Sequence, residues 1–324
     1  MTVRVFAAIA LLGILVAALA MWRPAASGLD DSDFDAAWTT AAEPPAFLGT
    51  STRPAVATLP EADRVAAWSP AVTRPLQRAF EQAEDLFAFR QQVQPLAEAG
   101  DADARWVLSR VDEYCAGFAR DPAGFERDSA LIADLQLEAA RALGAARGRI
   151  GTRCGRFVPR DAPTFVQLVE RRQDAAEAGS LAAEAALLAM GAPLQDDMDY
   201  RRGLVERVQA SRDPDAFVAL SPAMGVAASG DVALVDTVAG TQASELAWQL
   251  AACDLGLDCS ADGALMTEYC ANGGICARDA RQDFSSFVRD AAVPRQGAEE
   301  IDRMKKTLVE GTPASRHLLG MVTP

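Results

Sequence analysis

The stretch from Leu96 to Leu108 constrains the fold more than any other part of the chain, because it reads as helix end, tight turn and helix start in immediate succession. Gly100 accepts positive φ at little cost, which suits the residue just past a helix end. Asp101 and Asp103 follow at once, and a carboxylate there caps the exposed N–H groups of a new helix and complements its dipole. Apolar residues then recur at Ala104, Val107, Leu108, Val111, Cys115 and Phe118, steps of three and four that place them on one helical face. Upstream, Leu76, Phe80, Ala83 and Phe87 form a similar stripe, with Leu86, Phe89 and Val93 beside it. Pro95 is expected to kink or interrupt that first helix. A helical hairpin with one apolar side cannot stand alone and has to be covered by its neighbours.

The same grammar returns downstream. Ala176-Glu177-Ala178-Gly179 precedes Ala183, Ala186 and Leu187; Gln209-Ala210-Ser211 precedes the cap-like Asp213-Pro214-Asp215; Thr237-Val238-Ala239-Gly240 precedes Leu246, Ala247 and Leu250. The last three turns lie near the spacing of about 30–40 residues expected of helix-pair repeats, and the first gap holds an insertion. The Ala-x-Ala-Gly-Asp-x-x-Ala pattern of Ala97 to Ala104 resembles the turn of Sel1-like repeats, a branch of the tetratricopeptide superfamily. Ala176 to Ala183 is similar but lacks the Asp, and the other two copies are degenerate. The resemblance implies an α-solenoid that binds partners, and it carries no catalytic residues with it.

Alanine makes up about a fifth of the chain, strand-type alternation is nearly absent, and Ala favours helix. The expected fold class is therefore all-α, an α-solenoid-like array of helical hairpins over residues 74–324, with an insertion at about 121–174. Within the insertion, Phe125, Leu131, Leu135 and Leu143 suggest one helix, and Phe165, Leu168 and Val169 suggest another opened by Asp161-Ala162-Pro163. Ser221 to Val238 is rich in Gly and Ala and carries no clear periodicity. A helix at Ala298–Val309, with Ile301, Met304 and Leu308 on one side, is expected to close the array.

Arg4 precedes an uncharged run of 18 residues from Val5 to Trp22, followed by Arg23 and Pro24. This is an export segment. Residues 1–23 read either as a transmembrane anchor, the preferred reading because Trp22 and Arg23 suit a membrane interface, or as a cleaved signal peptide with small residues at Ala18-Leu19-Ala20. Residues 24–73 read as a Pro/Ala/Thr-rich linker. Both readings put the body in the periplasm of a bacterium, anchored in the inner membrane or released after cleavage, and both imply membrane contact through the N-terminal segment.

Six cysteines, Cys115, Cys154, Cys253, Cys259, Cys270 and Cys276, form an even set in an exported chain and read as disulfides. Cys115 is expected to pair with Cys154. The other four form C-x5-C-x10-C-x5-C, which leaves three connectivities, of which Cys253–Cys259 with Cys270–Cys276 is preferred. Four thiolates are enough for a tetrahedral zinc site, but the spacing is too wide for a ribbon or finger. No C-x-x-C occurs.

A net charge of −14 disfavours nucleic acid as a partner, since phosphate contacts need a basic surface. Against that background six Arg fall between positions 141 and 160. Arg147, Arg149, Arg153, Arg156 and Arg160 are candidates for contact with an anionic partner; the alternative is pairing with the chain's own carboxylates. The one histidine, His317, lies near the end of the sequence, no phosphate-binding Gly-rich loop follows a strand, and no G-x-S-x-G occurs. No catalytic, cofactor-binding or metal-binding residue is assigned, and no cofactor is implied. The expected function is an interaction scaffold or adaptor for another envelope protein. Two alternatives stand beside it: an inhibitor or immunity-type protein, and a carboxylate-based cell-wall enzyme needing only two acids.

Overall fold

A computed structural model describes residues 75–310 except positions 136, 293 and 294, and all of these belong to one compact unit. The export segment 1–23, the linker 24–73 and His317 lie outside the described residues. The described residues form thirteen helices and no strand, so the chain is all-α there. None of these helices is long and apolar enough to cross a membrane.

The helices α1 (Pro75–Gln82), α2 (Leu86–Glu98) and α3 (Ala102–Arg120) occupy the first hairpin region. The stripe running from Leu76 to Phe87 is split between α1 and α2. Asp85 is the reason: its side chain accepts the Phe87 and Ala88 N–H groups at 3.0 Å each, an N-cap that starts a new helix in place of continuing the old one. Pro95, expected to interrupt the helix, lies inside α2, which runs on to Glu98. It weakens only the last turn, and that turn is closed by its own bonds, Gly100 N–H to the Ala97 carbonyl and Asp101 N–H to the Leu96 carbonyl, both 3.1 Å. Gly100 has φ +94°, and Asp101 accepts the Ala104 N–H at 2.8 Å to open α3.

The helices α4 (Pro122–Asp134) and α5 (Glu138–Cys154) follow. The single helix expected through Leu131, Leu135 and Leu143 is broken at Leu135. Leu131, Leu135 and Leu137 are exposed there, so burial does not hold the helix straight through the break. Beyond a 3₁₀ turn at Pro159–Asp161 come α6 (Phe165–Glu177) and α7 (Leu181–Ala189). Thr164 and Gln167 form a reciprocal capping box at the start of α6. The α6–α7 turn repeats the α2–α3 turn bond for bond: Gly179 (φ +107°) donates to the Ala176 carbonyl and Ser180 to the Ala175 carbonyl.

The helices α8 (Met198–Ser211) and α9 (Pro214–Leu220) meet at Arg212, which takes φ +53° where a glycine would be the unstrained choice. Ser221–Leu234 contains three 3₁₀ turns, so the fourth expected turn is not helix–turn–helix. Gly240 instead leads from this irregular stretch into α10 (Gln242–Asp254), with Thr241 as the cap. The remaining helices are α11 (Ala264–Gly273), α12 (Phe284–Phe287) and α13 (Arg295–Glu310). In α13, Ile301 and Leu308 are buried, on a helix that lies against α10.

Packing follows chain order over most of this length: α3 lies on α6, α7 on α9, α9 on α10 and α10 on α13. Small residues make this possible. Ala182, Ala183, Ala185 and Ala186 of α7 are all buried, and short side chains let the backbones of α6 and α9 approach closely. One contact breaks the order. The helix α11 returns to α5, Arg110 of α3 pairs with Glu268 of α11 at 3.1 Å, and Arg149 of α5 pairs with Asp262 at 3.0 Å. Large side chains fill the interior between these layers: Phe217 and Trp248 pack with ring centroids 4.9 Å apart, and the Trp248 indole donates to the Val238 carbonyl at 2.8 Å.

All six cysteines are bonded. Cys115 of α3 joins Cys154 at the end of α5, Cys253 joins Cys259, and Cys270 joins Cys276. The first bond staples α5 to the first hairpin; the other two each close a short loop after α10 and α11.

Candidate functional site

The return of α11 forms one wall of an open cavity of about 580 Å³. Each wall presents residues at helical spacing: Trp106, Arg110 and Glu113 from α3; Ala186, Ala189 and Met190 from α7; Gln242, Glu245 and Gln249 from α10; Leu265, Glu268 and Tyr269 from α11. Arg172 of α6 and Val218, Ala219 and Pro222 at the end of α9 complete it.

Four charges on the walls form a chain. Arg172 bonds Glu113 at 2.6 Å, Glu113 bonds Arg110 at 2.5 Å, and Arg110 bonds Glu268 at 3.1 Å. The signs alternate and cancel. Burial disfavours the charged form of Arg110, but Glu268 and Glu113 outweigh it and hold the guanidinium charged. Burial likewise penalises the Glu113 carboxylate, and Arg110 and Arg172 more than offset this, keeping it below the usual carboxylate range. Glu268 has one guanidinium partner, and burial leaves its carboxyl raised. Arg172 also lies over the Trp106 ring, 5.6 Å from its centroid, and donates to the Met190 sulfur at 2.8 Å.

A neutral polar chain lines the other side. The Tyr269 hydroxyl donates to Gln249 Oε1 at 2.6 Å, and Gln249 Nε2 donates to Ser221 Oγ at 3.2 Å. Burial, opposed by the Gln249 bond and reinforced by the Glu245 charge, pushes the Tyr269 phenol up to about 12. Glu245 itself has no hydrogen bond or ion pair on its carboxyl among the described residues, and burial alone raises it. Gly225 leaves room for it: a Cβ there would lie 2.4 Å from the Glu245 carboxylate.

A second, smaller pocket of about 310 Å³ lies between α2, α3 and α6. Asp112, almost wholly buried, sits at its base between Arg171 and Arg90, the latter 3.6 Å away. Arg90 and Arg171 pair with Asp112, and Arg105 donates to the carbonyls of Ala97 and Asp174 at 3.0 and 3.1 Å.

Four of the five candidate arginines are engaged within the chain. Arg147 donates to Ser129 and to the Phe125 carbonyl and lies 3.9 Å from the Phe125 ring centroid. Arg149 binds Thr267 and Asp262. Arg153 donates to the Phe80 and Ala83 carbonyls and stacks on Phe80 and Tyr114. Arg156 pairs with Asp85 at 2.9 Å and stacks on Phe87. Arg147, Arg149 and Arg153 lie on α5, half-buried against α1, α4 and α11, and act as struts, whereas Arg156 stays exposed while it pairs. Arg160 is exposed, with no hydrogen bond or ion pair among the described residues.

The cavity residues Arg110, Glu113, Arg172, Glu245 and Glu268 were not singled out in the sequence. Two signals were present: charges at four and seven residues past Trp106 on an otherwise apolar face of α3, and Gln242, Glu245 and Gln249 on one face of an Ala- and Leu-rich helix. Each stripe alone reads as a solvated face; their convergence comes from the return of α11. No family model matches the chain, and no curated protein and no solved structure matches it.

Proposed function

We propose that this chain is an exported, envelope-located scaffold that holds a segment of another envelope protein in the cavity bounded by α3, α7, α10 and α11. The observation that carries the reading is the cavity itself, a concave space with a mostly apolar wall and four charged side chains tied into one ion-paired chain, so a guest meets fixed geometry instead of collapsing side chains. Three disulfides suit an oxidising compartment such as the periplasm. The α2–α3 and α6–α7 hairpins, whose glycine turns share one bonding pattern, are the pair on which the Sel1-like, solenoid reading rests.

The test is photocrosslinking in native membranes with the full chain, placing the reactive group at Gln242 on the cavity rim or at Arg127 on the outer face of α4. One stoichiometric protein partner captured from position 242 and not from 127 supports the scaffold. No protein at either position, or equal capture at both, overturns it.

A second reading, a carboxylate-based cell-wall enzyme, rests on the presence of Glu245, Glu113 and Glu268 in the lining of one cavity, since two carboxyl groups are enough for glycoside cleavage. Release of soluble fragments from purified cell wall, lost in E245Q, would favour it over the scaffold.

A further inference from the structure

We propose that the cavity receives a basic side chain of the partner polypeptide, its cationic head against Glu245 and its stem and neighbours on the apolar wall of α7 and α9. This deepens the scaffold reading and rests on it.

The charge inventory carries the argument. Five charged side chains line the cavity, and four of them cancel in the Arg172–Glu113–Arg110–Glu268 chain. Glu245 is left over, so the space has one unmatched negative charge. A neutral apolar guest would strip water from that carboxyl without replacing its hydrogen bonds, which is costly. An anionic guest would meet guanidiniums already engaged by carboxylates. A divalent cation needs several oxygen ligands and finds one free carboxylate. A Lys or Arg side chain matches all three constraints, with a charged head for Glu245, an aliphatic stem for Val218, Ala219 and Pro222, and the Tyr269 ring alongside. The net charge of −14 would also draw a basic segment in from solution.

The probe is the tripeptide Leu-Arg-Leu with blocked termini, so that its only charge is the side chain, titrated calorimetrically into the full chain in detergent. Its isosteric citrulline analogue supplies the same shape without charge. The arginine peptide should bind at least about tenfold more tightly than the citrulline peptide, a difference typical of a charge-assisted contact. E245Q, with an unchanged helical spectrum and melting temperature, should remove that preference. Equal binding of the two peptides, failure of both to bind, or a preference that survives E245Q overturns the proposal. Methylguanidine binding as tightly as the tripeptide would also overturn it, since the guest would then be a free cation. The two readings fail separately: a protein captured from position 242 whose capture is unaffected by E245Q sinks this inference and leaves the scaffold standing.

Discussion

The carboxylate of Glu81 accepts the Ala264 N–H at 3.1 Å, so a helix near the start of the described chain caps one that begins 183 residues later. Gly263, the residue in the capping position of α11, has no side chain to do this. The bond reinforces the return of α11 that forms one wall of the cavity.

The clasp should make stability depend on pH. Burial pushes the Glu81 carboxyl up to about 7, despite the Ala264 bond and the nearby Arg153 and Arg110, and with Asp258 adding repulsion. Its folded pKa is above its unfolded value of 4.5. The folded state therefore binds the proton more tightly, and the stability this gives is complete below pH 4.5 and is lost as pH rises to about 7. The melting temperature of the wild type is expected to fall between pH 5 and pH 8 by more than that of E81Q, which keeps an acceptor and cannot titrate. An identical fall in both would show that Glu81 is not the group responsible.

The disulfides should differ in worth by their loop lengths. Cys115–Cys154 closes a separation of 39 residues and Cys270–Cys276 one of 6. In the chain-entropy account the first contributes about 4 kcal/mol and the second about 2 kcal/mol. Chemical denaturation of the paired Cys→Ser variants should give that order, and the reverse order would contradict it.

Glu184 ties α7 to α8. It accepts the Tyr200 hydroxyl at 2.8 Å and Arg207 at 2.6 and 2.9 Å, on a side chain that is largely buried. E184A should cost about 2 kcal/mol, short of a fully buried pair because Arg207 is half exposed. E184Q should cost less, since its carbonyl oxygen still accepts from Tyr200. Urea unfolding midpoints of the two variants read this directly.

Gly179 isolates backbone strain from packing, because a Cβ there would meet nothing within 4 Å while φ is +107°. G179A should therefore destabilise by about 1–2 kcal/mol through conformation alone. G117A, in the last turn of α3 with open space around it, should be neutral or stabilising by up to about 1 kcal/mol. Thermal melts of the pair decide it.

Arg153 and Arg160 separate strut from surface. R153A removes two carbonyl bonds and two ring contacts and should cost about 2 kcal/mol. R160A should change stability by less than about 0.5 kcal/mol. Comparable losses in both would mean that the strut role assigned to Arg153 is wrong.

Local chemistry alone determined the helical class, the turns at Gly100 and Gly179, the capping at Asp101 and the closing helix near Ile301 and Leu308. Each depends on residues within one or two turns of one another, so spacing along the chain is enough to read them. The break at Asp85 is equally local, but the apolar stripe runs on across it, so periodicity alone hides the cap. The break after Asp134 and the 3₁₀ stretch from Ser221 are matters of burial: the sequence offers apolar residues, and only packing decides which are covered. The arginines of α5 illustrate the same limit. Six like charges in 20 residues read as a surface, and three of them, Arg147, Arg149 and Arg153, became struts because the carbonyls of Phe80, Ala83 and Phe125 and the carboxylate of Asp262 were folded against them, while Arg156 and Arg160 stay exposed. The cavity belongs wholly to tertiary structure. Arg110 and Glu268 stand 158 residues apart, and nothing in the periodicity of α3 or α11 says that they meet. Their pairing required α11 to turn back onto α5, a long-range contact set by shape and burial over the whole unit, and among the described residues Glu245 is the charged side chain of the cavity lining that has no ion pair.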